Sequence, residues 1–445
     1  MSKVIAGMDW QELYSFASKQ ALLGLCFEGI ERLGKEYPEE LRLNPIGREL
    51  LMTWMGKAQQ IRRQNMKVNA VASKLFSMLR EDGLRCCILK GQGNALMYPN
   101  PYSRTPGDID VWIDASRERI MEYAQKKYEL GDDIRLQHLE TSLDGVPVEL
   151  HFFPCSMNNP IYHARLQKWF KRNADLQCSH IVGLPDGAGD IAIPTTAFNV
   201  VYQLTHLYHH FFDEGIGMRQ IIDYFLVVND FSKNVFLDYD FSNHPVPLSK
   251  EGSTFSPSPS SSGSGDVTAP SRCSEPLRSK DGGASKPSPD CAGWDRRGVS
   301  GDTSSASCSS ASGSSITSVR SAFTTDSSAS TALVVVQREL KYLGLWKFAG
   351  AVMYVLKEVL GLAEDKMIVP MDEKRGRLLL AEIQDGGNFG RHFTKYAGFT
   401  HQSMGKKYFL KIWRNMHFVR YYPAEALSEP IFRTWHFFWR VKNKK

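Results

Sequence analysis

The sequence predicts an α+β fold: a small mixed β-sheet flanked by N- and C-terminal helical parts, with a long disordered insert in the second half of the chain. Residues 81–160 contain a short apolar run and segments that alternate apolar and polar side chains, which are the patterns of strands. Apolar residues on either side recur three and four positions apart, which is the pattern of amphipathic helices. Serine occupies 26 of the 80 positions at 251–330, and few large apolar residues accompany it, so this stretch cannot form a core.

These changes of pattern divide the chain into segments. We expect an N-terminal helical segment at 1–80, the sheet core at 81–160, a helical region at 161–245, the serine-rich insert at 246–332 and a helical, basic and aromatic region at 333–445. In the first segment, Asp9 and Glu12 form a capping-box pattern. They precede a helix predicted from Leu13 to Leu33, and a second helix is predicted from Arg48 to Leu79.

The sheet core begins with two apolar runs. The first, Cys86–Leu89, ends at Lys90-Gly91 and precedes a helix-compatible segment from Asn94 to Tyr98. This order predicts a strand, a glycine turn and a short helix. The second run, DIDVWID at 108–114, alternates strictly and predicts a second strand.

Two acids on the second strand point to a chemistry. Side chains two residues apart share a face of a strand, so Asp108 and Asp110 project together at a spacing of about 6–7 Å. Carboxylates at this spacing repel each other unless a cation lies between them. Such oxygen ligands suit Mg²⁺, which completes its coordination with water and substrate phosphates. The pair therefore indicates phosphoryl or nucleotidyl transfer.

The residues around these acids resemble a known signature. Lys90-Gly91, Arg104 and the run from Gly107 to Asp110 are similar to the motif of the DNA polymerase β-type nucleotidyltransferase superfamily, and more closely to the bacterial uncharacterised nucleotidyltransferase family. Further similar stretches are QALLGLCFEGIERL, THLYHHFFDEGIGMRQIIDYF, GGNFG and YYPAEALSEPIFRTWHFFWR. The resemblance implies a nucleoside triphosphate (NTP) as substrate and Mg²⁺ or Mn²⁺ as cofactor.

One departure from the superfamily concerns phosphate binding. The superfamily usually has Gly-Ser after the first strand, whereas this chain has Lys90-Gly91. The resemblance without that serine assigns phosphate contact to the Gly91 backbone and to the charges of Lys90 and Arg104.

A hairpin follows the second strand in the predicted order of elements. A helix is expected from Arg117 to Leu130, and strands are expected at Ile134–Leu143 and Val146–Phe153. Asp144-Gly145 between the strands is a strong signal for a two-residue hairpin turn.

The return strand of the hairpin is where the superfamily carries its third acid, and Glu149 falls there. We expect Glu149 to complete a metal site with Asp108 and Asp110 and to accept the proton of the attacking hydroxyl. His151 shares the face of Glu149, where it either contacts substrate or lies on the surface.

Two helices are expected between 195 and 229. On the second, Arg219 either binds a nucleotide phosphate, as the resemblance implies, or forms an i,i+4 ion pair with Asp223. His206 and His210 share a face of the first helix, but no third ligand accompanies them in the sequence, so a transition-metal site is not expected there.

The C-terminal region carries two motifs with alternative interpretations. Gly386–His392 is rich in glycine but lacks the Walker spacing, so we expect a tight turn or a wall of the substrate cleft rather than a phosphate loop. Aromatic and basic residues interleave from Tyr408 to Arg440 and would stack on bases if they were exposed. The favoured interpretation is amphipathic helices with buried rings.

Composition limits the class of protein. The net charge of +6 does not by itself indicate nucleic-acid binding. No run approaches the roughly 20 apolar residues of a membrane-spanning helix, and the eight cysteines include no CxxC pair. We therefore expect a cytoplasmic protein with reduced thiols and no membrane span.

The acids and the resemblance together predict a nucleotidyltransferase. It would move a nucleoside monophosphate (NMP) from an NTP to an acceptor hydroxyl or phosphate and release pyrophosphate. The acceptor is unidentified, and a small molecule is favoured over tRNA or protein. The alternatives are a non-catalytic nucleotide-sensing or partner-binding module and a toxin-type transferase that acts on tRNA or protein.

Overall fold

The computed structural model describes residues 2–128, 135–234, 325–388 and 412–443. Most of the predicted serine-rich insert, 246–332, lies outside these ranges. Its last residues do not, because a helix begins at Thr325, inside the range expected for the insert.

The described N-terminal segment is helical, as predicted. Its helices are α1 Ser2–Ala6, α2 Trp10–Lys19, α3 Leu23–Glu36, α4 Pro38–Leu43 and α5 Arg48–Glu81. The Asp9 carboxylate accepts hydrogen bonds from the amides of Gln11 and Glu12 and so caps α2. The single helix predicted from Leu13 to Leu33 is wrong, because the chain turns between α2 and α3 at Ala21, where φ is 57°.

This break has a tertiary cause. Gln20 is buried, and its side chain accepts a hydrogen bond from the amide of Met218 and donates one to the carbonyl of Ile383. Both partners are distant in sequence, so the local pattern of apolar residues gives no sign of them.

Helix α5 supports the sheet and the loop that leads into its second strand. Its Val68, Leu75 and Leu79 belong to the apolar core beneath the strands. Burial of each such side chain stabilises the fold by about 1.5–3 kcal/mol. Asn65, also buried, donates to the backbone carbonyls of Tyr102 and Arg104 and thereby fixes that loop to the helix.

The sheet is small and mixed, as predicted. Its strands are β1 Cys86–Leu89, β2 Ile109–Ile113, β3 His138–Leu143 and β4 Val146–His151, in the spatial order β1-β2-β4-β3. Strand β2 pairs antiparallel with β1 and parallel with β4, and β3 pairs antiparallel with β4. Helices α6 Gly91–Ala95 and α7 Arg117–Lys127 lie between the strands in sequence.

The elements of the predicted hairpin are shorter than expected. Helix α7 ends before Leu130, β3 begins after Ile134 and β4 ends before Phe153; residues 129–134 lie outside the described ranges. The turn itself is as predicted, because Asp144 and Gly145 both have positive φ values, 49° and 71°, which a type I′ turn requires. It places Leu143 opposite Val146.

Further helices form most of the remaining described fold. They are α8 Pro160–Ser179, α9 Thr196–Asp213, α10 Met218–Asn234, α11 Thr325–Tyr342, α12 Trp346–Leu360, α13 Glu373–Gly386 and α14 Pro423–Asn443. A separate two-stranded sheet consists of β5 Ile181–Gly183 and β6 Asp190–Ala192.

The two faces of β2 have different neighbours. Ile109, Val111 and Ile113 join the core that contains residues of α5 and α7. On the other face, the Trp112 ring stacks on Phe198 of α9, with centroids 6.2 Å apart and an interplanar angle of 10°. The face that carries the acids is therefore partly covered, and Asp110 is 5% exposed.

The C-terminal predictions are partly borne out. Gly386 is the last residue of α13 rather than part of a turn, and residues 389–392 of the glycine-rich motif lie outside the described ranges. Phe418 and Tyr422 are buried as predicted for rings of this region, but they lie in the turn before α14 rather than on an amphipathic helix. Two rings of α14 are not, since Trp435 is 50% exposed and Phe438 is 64% exposed.

Two further observations concern bilayers and thiols. In the described parts of the chain, no helix combines the length and apolarity that crossing a bilayer demands. The cysteines of those parts, Cys26, Cys86, Cys87, Cys155 and Cys178, are free thiols.

Candidate active site

The parallel pairing of β2 and β4 brings the predicted acids of two strands together. Asp110 and Glu149 are direct neighbours in the register of these strands, and Asp108 lies just before β2. The neighbourhood expected for the three acids is thus present at the N-terminal end of β2. Their catalytic and metal-binding roles stay predictions.

Lys90 forms a mostly buried ion pair with Asp110. Its Nζ lies 3.0 Å from Asp110 Oδ1 and 2.9 Å from His206 Nε2. The backbone of Lys90 has φ 55° and ψ −127°, a conformation that favours glycine, so the turn after β1 holds this side chain at a cost in strain.

A buried amide pair fixes this turn against helix α9. Gln203 Nε2 donates to Asn94 Oδ1 at 2.7 Å, and Asn94 Nδ2 donates back to Gln203 Oε1 at 3.1 Å. Because His206 follows on the same helix, this pair also explains why His206 lies beside Lys90. The face of α9 that carries His206 therefore contacts Lys90. The helical spacing of His206 and His210 does not by itself reveal this contact.

His151 bridges two of the acids and is not a surface residue. It is 1% exposed, and its Nε2 lies 3.0 Å from Asp110 Oδ1 and 3.1 Å from Glu149 Oε2. Burial alone would lower the pKa of His151, but the hydrogen bonds to Asp110 and Glu149 outweigh it and raise the pKa to about 9. At neutral pH the bridge is therefore an imidazolium between two carboxylates.

The acids respond to their neighbours in opposite ways. Burial would raise the pKa of Asp110, but the charge of Lys90 and the hydrogen bond from His151 lower it well below its usual range. The pKa of Asp108 is raised to about 6, chiefly because the negative charge of Asp110 lies nearby. Lys90 and His151 thus compensate Asp110 more fully than Asp108.

A cleft opens beside these acids and contains most of the predicted site. It has a volume of about 60 Å³. The predicted residues that line it are Lys90, Gly91, Arg104, Asp108, Asp110 and Arg219. Since typical pockets for drug-sized ligands measure about 300–1,000 Å³, a whole nucleotide cannot be enclosed here. The cleft can admit phosphate oxygens and a small cation.

Asp223, the predicted ion-pair partner of Arg219, pairs mainly with Arg104 instead. The Nε and Nη2 atoms of Arg104 each donate to a carboxylate oxygen of Asp223 at 2.8 Å. The Tyr98 hydroxyl donates to the same carboxylate. Arg219 Nη1 instead donates to the carbonyl of Thr105, and both guanidinium groups border the cleft. Phosphate contact by Arg104 or Arg219 stays a prediction.

His138 is a site residue that the sequence analysis missed. It lies directly opposite His151 in the β3–β4 register, and its Nδ1 is 3.3 Å from Glu149 Oε2. Burial and the charge of His151 lower the pKa of His138 to about 4. Counting back from the Asp144-Gly145 turn would have placed residue 138 opposite residue 151, so the signal was present in the sequence.

A family of known proteins shares the segment that builds this cleft. Residues 6–242, just over half of the chain, match the family described as "Uncharacterised nucleotidyltransferase". The chain belongs to the uncharacterised nucleotidyltransferase family. The matched segment of this nucleotidyltransferase family member contains all the predicted site residues, from Lys90 to Arg219.

Other comparisons add little to the family assignment. The chain is similar to a solved structure described as an antigenic nucleotidyltransferase-like protein from Paracoccidioides brasiliensis. The two are 16% identical, the similarity covers 36% of this chain and 75% of that chain, and the TM-score is 0.25. No curated protein matches the chain.

Proposed function

We propose that this family member is an active nucleotidyltransferase that moves an NMP from an NTP to an acceptor hydroxyl or phosphate. The observation that carries the proposal is the register of β2 and β4, which sets Asp110 beside Glu149 with Asp108 at the mouth of a cationic cleft. Family membership alone leaves the reaction open. Acids beside cations, in a cleft narrow enough for phosphate groups, support transfer chemistry at this place.

The donor set suits a hard divalent cation. Asp108, Asp110 and Glu149 offer carboxylate oxygens, the ligands that Mg²⁺ and Mn²⁺ accept. The raised pKa of Asp108 reflects uncompensated negative charge beside Asp110, which a cation would relieve. We propose these three residues as the metal ligands. Bound there, the ion would supply Lewis-acid polarisation of the α-phosphate.

The cationic residues are proposed to hold the triphosphate. Lys90, Arg104 and Arg219 border the cleft, and the Gly91 amide begins helix α6 at the same place. Positive groups fixed before the reaction stabilise the charge that develops on the leaving pyrophosphate. Because the cleft is small, the sugar and base are expected to lie toward solvent.

The chemical step needs a proton acceptor. The acceptor oxygen attacks the α-phosphorus, a new oxygen–phosphorus bond forms, and the bond to the pyrophosphate oxygen breaks. Glu149 is proposed to accept the hydroxyl proton as that bond forms. Its hydrogen bond from His151 favours the ionised carboxylate, since burial would raise the pKa of Glu149 and this bond lowers it.

The nature of the acceptor is also part of the proposal. A small-molecule acceptor in the cytoplasm is favoured over tRNA or protein, because the net charge of +6 on 445 residues is small. An extract supplied with purified protein and an NTP labelled at the α-phosphate should incorporate label into its small-molecule fraction. Incorporation into tRNA or protein would instead identify a toxin-type transferase.

The decisive variant is Asp108→Asn. Pyrophosphate release in the presence of Mg²⁺ should fall by at least about 100-fold, while the melting temperature stays close to that of the wild type. Asp114→Asn is the matched control, because Asp114 belongs to the same acidic run but pairs with Arg85. Undiminished release by Asp108→Asn, or an equal loss in both variants, would contradict the proposal.

A nucleotide-sensing module is the second candidate, and one observation favours it. Lys90 and His151 compensate Asp110 within the protein itself, without a metal ion. Calorimetry with each NTP, with and without Mg²⁺, separates the two candidates. Tight binding that does not require a metal ion and releases no pyrophosphate would support the sensor.

A further inference from the structure

The β3–β4 hairpin gathers a second set of metal-ligating side chains next to the carboxylates. In the described parts of the chain, His138, Glu149 and His151 form a group of at least three potential ligands whose donor atoms all lie within 4.8 Å of one another. Two of its members are imidazoles, which distinguishes it from the all-carboxylate set proposed for Mg²⁺.

The hairpin register explains why these three side chains meet. His138 and His151 are direct cross-strand partners, and Glu149 lies two residues before His151 on the same face of β4. Direct partners in an antiparallel pair have Cβ atoms about 4.5–5.5 Å apart, which is close enough for two imidazoles to share an ion. The ring centroids of His138 and His151 are 5.0 Å apart.

The distances match a compact coordination sphere. Glu149 Oε2 is 3.1 Å from His151 Nε2 and 3.3 Å from His138 Nδ1. Ligands bound tetrahedrally at about 2.0–2.2 Å lie about 3.3–3.6 Å from each other. Small side-chain shifts, together with release of the Nε2 proton that His151 shares with the acids, would therefore bring the three donor atoms to one cation.

His138 gives an independent reason to expect a ligand. The residue is 8% exposed, and neither of its ring nitrogens makes a hydrogen bond within the described residues, although Nδ1 lies 3.3 Å from Glu149 Oε2. A buried polar group without a partner costs about 1–3 kcal/mol, so this imidazole calls for an explanation. A bound metal ion would satisfy one of its nitrogens.

The ion also has a route to the site. His138 lines a cleft of about 290 Å³, which Arg135 and His209 also border. This cleft is distinct from the one that contains Lys90 and Asp108.

We infer that His138, Glu149 and His151 form a binding site for a divalent transition-metal ion of the zinc class. Two imidazoles and one carboxylate favour Zn²⁺ or Co²⁺ over Mg²⁺, which prefers oxygen ligands. The inference rests on the hairpin and not on the proposed transfer reaction. Glu149 would then lie between the two cation positions.

Titration of the full chain with Co²⁺ tests the site. The visible ligand-field bands of bound Co²⁺ should persist in excess Mg²⁺, and His138→Gln should weaken Co²⁺ binding by at least about 10- to 100-fold. His180→Gln is the matched control, because His180 is half-buried and its Nδ1 faces the carbonyl of Ile193. Equal Co²⁺ affinity in the wild type and in His138→Gln would overturn the inference.

Two further measurements keep the outcome unambiguous. In the wild-type chain, Co²⁺ should first broaden the backbone amide signals of β3 and β4, and broadening centred elsewhere would overturn the inference even if His138→Gln failed to fold. Asp108→Asn should retain Co²⁺ binding at the hairpin whether or not it loses transfer activity. Failure of this site and failure of the proposed reaction are therefore separately visible.

Discussion

Lys90 makes favourable side-chain contacts at the site while its backbone adopts a strained conformation. Its ammonium group contacts Asp110 and His206, and its φ of 55° places it where glycine is favoured. Burial would lower the pKa of Lys90, but the charges of Asp110, Asp108 and Glu149 outweigh it and raise the pKa. Lys90 therefore stays charged although it faces a mostly buried site.

The backbone strain at Lys90 can be measured separately from its charge. Lys90→Gly and Lys90→Ala both remove the ammonium group, and they differ in their tolerance of positive φ. We expect the glycine variant to have the higher free energy of unfolding by about 1–2 kcal/mol, since relief of strain exceeds the entropy advantage of alanine. Urea unfolding of the two variants measures this difference. An alanine variant as stable as the glycine variant would show that the conformation carries no strain.

The contacts of the two site histidines differ in how far the sequence predicts them. His151 shares a strand face with Glu149 in any period-two pattern, so its proximity to the acids was predictable. Its bridge to Asp110 was not, because that contact depends on which strand lies next to β2. The position of His138 opposite His151 follows from counting residues outward from the Asp144-Gly145 turn along both strands.

At the scale of elements, helix α3 shows how close packing positions the cleft. Gly24 faces the 101–103 turn of the loop that leads to Arg104, and a Cβ atom there would lie 2.3 Å from the carbonyl oxygen of Ser103. Backbone cannot move aside as a flexible side chain can, so this position requires glycine. Gly29 lies on the same helix, and a Cβ added there would have no neighbour within 4 Å.

This contrast provides a matched pair of substitutions. Gly24→Ala should lower the free energy of unfolding by about 1–3 kcal/mol because of overpacking. Gly29→Ala should raise it by about 0.4–1 kcal/mol, because alanine has less freedom in the unfolded chain and favours helix. Thermal and urea unfolding of both variants measure these effects. A neutral Gly24→Ala variant would show that α3 and the loop are not tightly packed.

The elements were more predictable than their breaks. Asp9, the apolar alternation of 109–113 and the Asp144-Gly145 turn carry local signals, and the structure has the cap, the strand and the hairpin at those positions. The turn at Ala21 depends on Gln20 bonds to residues near 218 and 383, which no local pattern encodes.

At the scale of the whole molecule, Glu425 ties the C-terminal part to the middle of the chain. It lies in α14, is 1% exposed and accepts hydrogen bonds from the amides of Asn158 and Asn159, just before α8. Burial raises the pKa of Glu425 to about 7. Folding therefore favours the protonated form of this carboxyl group.

Glu425 should make stability depend on pH. Between its ordinary pKa of 4.5 and about 7, the folded protein holds more protons than the unfolded chain. The free energy of unfolding should therefore decrease as pH rises through this window, by up to about 1.4 kcal/mol per pH unit. Glu425→Gln should show a shallower decrease in urea unfolding between about pH 5 and pH 7.5.

The control for this prediction is Glu358→Gln, an exposed carboxylate on α12. It should follow the wild-type dependence on pH, because the substitution leaves the buried carboxyl group of Glu425 in place. If Glu425→Gln also followed the wild type, Glu425 would not be the source of the pH dependence.

The fold class was accessible from the sequence, whereas the charge balance of the site was not. Alternation and helical spacing predict the mixed sheet and its flanking helices, because both patterns are local. The pairing of Arg104 with Asp223 joins residues 119 positions apart, so no local pattern favours it over the i,i+4 pair with Arg219. The contacts of α14 were not predictable either, because they also join residues that are far apart in sequence.

The Asp144-Gly145 turn has a consequence for tolerance to insertions. Asp144 lies at the surface and pairs with Lys74, a setting in which most proteins accept changes of loop length. A residue inserted in β4 downstream of this turn would reverse the alternation of its side chains. The Glu149 and His151 side chains would then point into the apolar core on the opposite face of the sheet. A scan of single-residue insertions should therefore find the turn tolerant and β4 intolerant, although the two are adjacent in sequence.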